Sequence, residues 1–305
     1  MKKTFTMQNE RKLCRNCGQH LLIEQKFCPT CGQKADTERI DFHFLIHEIQ
    51  HGIFHVDKGI LYSIKMLFTK PGHTIREYLE GRRKNHFKPV LFVVILGTLC
   101  GLLNHFVIEN GEREKFFEEE DDPQLAENPD FINMSDFLEN IIGWFADHLA
   151  FLILLMIPAA ALGFYLGFRK YRLYYAEWLV VMTFLAGQAL VVYFFTELIG
   201  HFMDRDLMGL FLLIAMSLNI WTFLQFFKGK SKKIIVIRTL WSNFLSFTFT
   251  FFYVMFLSLT LLLTAIVMYA SDETLEQMSS DDLEININPP IKKDSSAVAP
   301  QNLNP

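Results

Sequence analysis

The sequence predicts an all-α integral membrane protein of about five transmembrane helices, preceded by juxtamembrane amphipathic helices and a small N-terminal ribbon. Three observations carry this expectation. Beyond Lys88, apolar residues gather into uncharged blocks of the length that a bilayer core of about 20 residues per helix requires. Lysine and arginine crowd into alternate connecting segments. Four of the five cysteines fall between positions 14 and 31 in two matched pairs. Composition by itself decides little, because 51% hydrophobic residues lies near the value of about 45–50% for soluble domains. A net charge of −4 names no partner.

Residues 1–36 form the ribbon. The stretch from Met1 to Cys14 is polar and lacks an apolar core, so a cleaved secretory signal is not expected, and the first transmembrane helix should serve for targeting. Cys14-Arg-Asn-Cys17-Gly18 and Cys28-Pro-Thr-Cys31-Gly32 are two C-x-x-C-G knuckles separated by ten residues. Two closely spaced thiolate pairs supply the four soft ligands that Zn2+ takes in a tetrahedron, and a closed set of four leaves no open position, so the ion should be structural. Glycine after the second cysteine suits a backbone conformation that other residues adopt at a cost. So short a segment has no independent core, and the metal would supply most of its folding energy. Cys100 stands alone in an apolar block, and nothing resembles a secreted disulfide framework. Across residues 1–34, Lys2, Lys3, Arg11, Lys12, Arg15, Lys26 and Lys34 outnumber Glu10 and Glu24. That excess suits a cytoplasmic protein or anionic lipid head groups. The absence of interleaved aromatics argues against nucleic acid.

Residues 37–88 carry two apolar stripes, Ile46, Ile49, Ile53, Phe54 and then Ile60, Leu61, Ile64, Leu67, Phe68, followed by a Pro71-Gly72 break. They are short for spans and carry charge, which predicts helices lying on the inner leaflet or packed beneath the membrane helices. His43, His47, His51 and His55 recur every fourth residue, along one helical face. Within them His47-Glu48-Ile49-Gln50-His51 matches H-E-x-x-H, in which two histidines bind zinc and Glu48 would activate water. The pattern is short, and His55 does not sit where the longer metzincin signature places its third histidine. A polar helix face, a second metal site on His47, His51 and His55, and a catalytic centre all stay open.

The predicted spans are 89–108, 149–168, 178–200, 207–227 and 244–270. Long uncharged blocks must satisfy their own backbone hydrogen bonds, which selects helices. Arg82, Arg83, Lys84 and Lys88 precede the first span. Arg169, Lys170 and Arg172 follow the second, and Lys228, Lys230, Lys232, Lys233 and Arg238 follow the fourth. The alternate connections are poor in both, and residues 109–148 carry the acidic run Glu118–Asp122. By the positive-inside rule the N-terminus is cytoplasmic and the C-terminus outside. Low apolar content predicts a disordered tail over 271–305. Gly97-x-x-x-Gly101 and Gly163-x-x-x-Gly167 would allow close helix approach. Pro158 should kink the second span, and Gln188, Glu197, Asn219 and Gln225 are the polar groups most costly to place in lipid.

The order of these features resembles a bacterial family of membrane proteins, domain-of-unknown-function family 3667. The resemblance rests on the ribbon Cys14–Gly32, Gln33-Lys34, Arg39, His47-Glu48, His55, Asp57-Lys58-Gly59, Lys70-Pro71-Gly72, Arg76-Glu77-Tyr78, Gly81-Arg82-Arg83-Lys84 and Pro89, roughly residues 14–105. It implies a zinc-ribbon protein of the bacterial cytoplasmic membrane and no particular reaction. The reading that follows is a non-enzymatic interaction or regulatory module on a multi-pass membrane protein. The alternatives are a metal-dependent membrane enzyme using residues 47–51 and a small-solute transporter using Glu197 and Gln188.

Overall fold

A computed structural model describes residues 12–22, 24–37, 39–46, 59–105 and 148–287. His47, Glu48, His51, His55, the acidic segment 109–147 and residues 288–305 lie outside the described residues. The chain divides into two units, 1–253 and 254–305, with the boundary inside the last helix.

The ribbon consists of two miniature hairpins. Strand β1 (Lys12–Leu13) pairs antiparallel with β2 (His20–Leu21), Lys12 opposite Leu21 and Leu13 opposite His20. Phe27 and Lys34 form the corresponding bridge of the second hairpin. After a short helical stretch over residues 42–46 come α1 (Gly59–Thr69), α2 (Pro71–Leu79), α3 (Pro89–Leu103), α4 (Leu149–Gly167), α5 (Tyr175–Met203), α6 (Met208–Phe226) and α7 (Lys232–Ile287). Pro71 and Pro89 open α2 and α3, where a missing N–H breaks no helical hydrogen bond.

Helices α4, α5, α6 and the Lys232–Thr264 part of α7 are long and apolar enough to cross a membrane. Among the described residues the count is therefore four, not about five. The expected first span over 89–108 is helical as α3 for 15 residues, a rise of about 22 Å against a hydrocarbon thickness of roughly 30 Å. At Asn104 and His105 the helix widens into a π turn, and Asn104 Nδ2 donates to the Tyr193 hydroxyl at 3.2 Å. A polar side chain thus interrupts the apolar run. Helix α7 begins at Lys232, well before Phe244, and continues past Ser271 to Ile287. The stretch from Asp272 to Met278 contains Glu, Leu, Gln and Met, all good helix formers, and no proline lies between Lys232 and Pro289. Low apolar content therefore does not make this stretch irregular.

Helix α5 is the centre of the first unit and packs against α3, α4 and α6. Its buried face includes Trp178, Val181, Phe184 and Leu190. Gly163 and Gly167 face Ser246 and Ser242 of α7, and a Cβ at Gly163 would run into the Ser246 backbone. That close approach is the one the spacing of the two glycines predicts. Phe164, Phe168, Trp178, Phe223 and Phe227 stack where α4 ends, α5 begins and α6 ends, with Phe168 and Phe227 centroids 4.9 Å apart.

Two arginines close helix ends in this region. Arg238 Nη1 donates to the Gly167 carbonyl at the end of α4, at 2.7 Å. Arg76 donates to the Gln225 and Phe226 carbonyls at the end of α6. Cations at C-terminal helix ends satisfy orphan carbonyls and oppose the negative end of the helix dipole.

Helices α1 and α2 form a hairpin, and α2 buries Pro71, Gly72, Thr74, Ile75 and Tyr78 against α6 and α5. Gln188 Nε2 donates to the Leu67 carbonyl at 2.9 Å. Gln188 stands about 20 Å along α5 from its start, so the hairpin packs well up the side of this helix. The α1–α2 hairpin therefore packs against the helix bundle.

Candidate metal centre and the cleft beside it

The two knuckles have the same local geometry. Gly18 N–H donates to Cys14 O at 2.9 Å, and Gly32 N–H to Cys28 O at 2.8 Å. Cys14 N–H reaches Gln19 O and Cys28 N–H reaches Gln33 O, both at 2.8 Å. Gly18 and Gly32 hold φ of 75° and 73°, the left-handed conformation that a Cβ disfavours. Each knuckle aims two thiols at the other. The Cys14 and Cys31 sulfurs lie 3.6 Å apart, as do those of Cys17 and Cys28. All four are within 4.8 Å of one another, a set that could hold a metal ion.

The electrostatics of the cluster fit a cation. The Asn16 side chain, aided by the Gln33 amide, draws the Cys31 thiol down to about 6. The Gln19 amide pulls on Cys17, but desolvation and hydrogen bonds to the other three thiols outweigh it and push Cys17 up to about 12. Four thiolates this close repel one another, and a positive ion among them lets all four lose their protons. Among the described residues the apolar cluster around it is Cys14, Leu21 and Cys28, with Cys31 and Ala35 at its edge.

The ribbon is fastened to the helices through the residues after its second knuckle. Buried Gln33 accepts the backbone N–H groups of Arg83 at 3.2 Å and Lys84 at 3.0 Å. The chain turns there at Gly81, with φ of 96° and Thr37 and Arg15 against its Cα face. Arg15 donates to the Glu80 carbonyl at 3.3 Å. Arg39 holds the Glu177 carboxylate with two nitrogens, Nε to Oε1 at 2.5 Å and Nη2 to Oε2 at 2.8 Å, while its guanidinium lies 3.6 Å over the Tyr174 ring. Glu177 Oε2 also accepts the Tyr174 N–H at 2.8 Å, which caps the start of α5. Ile40 is fully buried in the main core. Between these fastenings lies a cleft of about 530 Å3 lined by Arg15, Arg39, Arg76, Glu80, Glu177 and an apolar floor that includes Phe226 and Phe227.

Of the other residues singled out from the sequence, His43 is exposed on a short helical stretch over residues 42–46. The positions of His47, Glu48, His51 and His55 lie outside the described residues. Gln188 and Glu197 stand about 13 Å apart along α5, and Gln188 is committed to the Leu67 carbonyl. Asn219 Nδ2 lies 3.4 Å from Asn243 Oδ1 on α7. Sequence reasoning missed the Arg39–Glu177 fastening. Its signal was a glutamate three residues after Tyr174 at the head of an apolar block, the capping-box position.

No curated protein and no solved structure matches this chain. A family model described as "Protein of unknown function (DUF3667)" matches residues 57–101. That match is narrower than the resemblance over residues 14–105 and does not include the ribbon. It covers the hairpin, the Gly81 turn on which the ribbon rests and most of α3. Over this segment the chain is similar to the DUF3667 family.

Proposed function

We propose that this chain is a multi-pass protein of the cytoplasmic membrane in which a zinc-closed ribbon serves as a non-enzymatic interaction or regulatory module. A zinc–sulfur bond of about 2.3 Å gives a tetrahedron with an edge of about 3.8 Å, and the paired sulfurs stand at 3.6 Å. Thiolates alone around the ion leave no open coordination position, so its contribution is to fold the ribbon. The observation that carries the reading is the attachment: Gln33 and Arg39 tie the ribbon to the hairpin and to the head of α5. A change in the ribbon is thereby felt by helices packed against the candidate spans.

The cytoplasmic position of the ribbon is supported by charge. Arg169, Lys170, Arg172, Lys228, Lys230 and Lys232 cluster where α4 and α6 end and α5 and α7 begin, and Arg205 is the only Lys or Arg between α5 and α6. The ribbon fastens to that same basic end. The test is deuterium exchange of the purified full chain before and after metal chelation. Faster exchange in residues 71–88 is expected when the metal is removed. Unchanged exchange there, with the metal gone, would make the ribbon an independent appendage and defeat the reading.

A further inference from the structure

The cleft between the ribbon and the helix ends combines features that the module reading does not use. Three guanidinium groups, from Arg15, Arg39 and Arg76, line it, against the carboxylates of Glu80 and Glu177. The Glu177 carboxylate is spent: Arg39 holds both oxygens, and the Tyr174 N–H adds a third bond. Glu80 contributes its backbone carbonyl to Arg15, and its side chain is exposed. Each arginine has five N–H donors in a planar fork. Arg15 uses Nη1 on Glu80 O, and Arg76 uses Nη2 on the two α6 carbonyls. Both retain donors for a further acceptor, and the lining keeps one excess positive charge.

The floor is apolar, formed by Leu79, Tyr171, Leu173, Phe226 and Phe227. Phe226 and Phe227 end α6, one of the helices long enough to cross a membrane, so this floor continues into an apolar helix. A lining that joins arginines in excess of carboxylates to apolar residues, at the end of such a helix, matches an amphiphilic anion. Free phosphate would use the arginines alone.

We propose that this cleft binds the phosphate head group of an anionic phospholipid, with Arg15 and Arg76 donating to the phosphate and the acyl chains leaving along α6. The proposal rests on the membrane reading given above and names the partner of the same juxtamembrane region. Arg15 joins the ribbon to the lipid, so the metal-folded ribbon completes the site.

The experiment uses the full chain extracted from membranes in mild detergent, with bound lipid counted by mass spectrometry after titration with phosphatidylglycerol or phosphatidylcholine. Phosphatidylglycerol should be retained in preference. Arg15→Gln should weaken its retention by about fivefold, the effect of losing one partly exposed charge-assisted contact. Lys26→Gln makes the same charge change on an exposed ribbon position outside the cleft and should leave retention unaltered. Equal retention of both lipids, equal effects of the two substitutions, or displacement of the lipid by millimolar inorganic phosphate would each overturn the proposal. Failure of the membrane reading looks different: the chain would then be released from membranes by alkaline carbonate without detergent.

Discussion

Glu177 is nearly fully buried, with its side chain 5% exposed, while Arg39 beside it is half exposed. Removing the arginine leaves a carboxylate that water must reach from one side. Arg39→Ala should therefore lower stability by about 1 kcal/mol, read as a fall in the melting temperature of the detergent-solubilised chain. Arg39→Lys should recover only part of it, because one ammonium cannot match a two-nitrogen fork. His86 gives a pH dependence. Its side chain is buried between Tyr62 and Tyr78, Nδ1 has no hydrogen-bond partner, and Glu77, itself paired with Arg82, lies 3.9 Å from Nε2. Burial holds His86 below its usual value, and the Glu77 charge offsets this only in part. The unfolded chain then takes up a proton near pH 6.5 while the folded chain resists until lower pH, so stability present above 6.5 drains away as pH falls below it. Melting between pH 7.5 and 5.5 should show that loss, and His86→Phe should reduce it. At this scale the four cysteines were legible because metal-ligand spacing is local. The partners of Arg39, Gln33 and Arg76 were not, since they lie 138, 51 and 149 residues away in sequence.

Among elements, the Pro71-Gly72 break between α1 and α2 is visible in the sequence, and the closeness of the packing behind it is not. A Cβ on Gly72 would strike the Thr222 carbonyl and the Phe226 N–H of α6, backbone atoms that cannot rotate aside. Gly72→Ala should cost about 1–3 kcal/mol by overpacking. Gly209, in α6 with nothing within 4 Å of an added Cβ, is the matched control. Gly209→Ala should be neutral or stabilising by up to about 1 kcal/mol. Comparing the two melting temperatures checks the placement of the hairpin. The apolar blocks announced α4, α5 and α6 because each holds a long run of apolar residues with few charges. Helix α3 is described to Leu103 and continues as a π turn at Asn104 and His105, while Phe106 to Ile108 of the expected span lie outside the described residues. The histidine stripe left its three readings open: periodicity places His43, His47, His51 and His55 on one face without saying what that face meets.

For the whole molecule, charge asymmetry and the metal site converge. The ends of α4 and α6 carry basic residues and the arginine caps, and Arg39, just after the ribbon, is held at the neighbouring start of α5. On the proposed reading, the ribbon and these basic ends lie on the same side of the membrane. A cysteine introduced at Lys230, in the α6–α7 connection, should resist an impermeant thiol reagent in intact cells. One at Arg205, between α5 and α6, should react. The opposite labelling would invert the topology. Overall architecture was readable because apolar block length and charge alternation are one-dimensional signals, while the docking of ribbon on hairpin depends on contacts no spacing encodes. The claim beneath all of this is that four sulfurs close around one ion. The most direct measurement is the metal content of the purified full chain and of its Cys31→Ser, His47→Ala and His51→Ala variants. The account predicts one zinc per chain, lost with Cys31→Ser and retained in both histidine variants. Protein folded without metal, or zinc that leaves with the histidines and stays in Cys31→Ser, would contradict it.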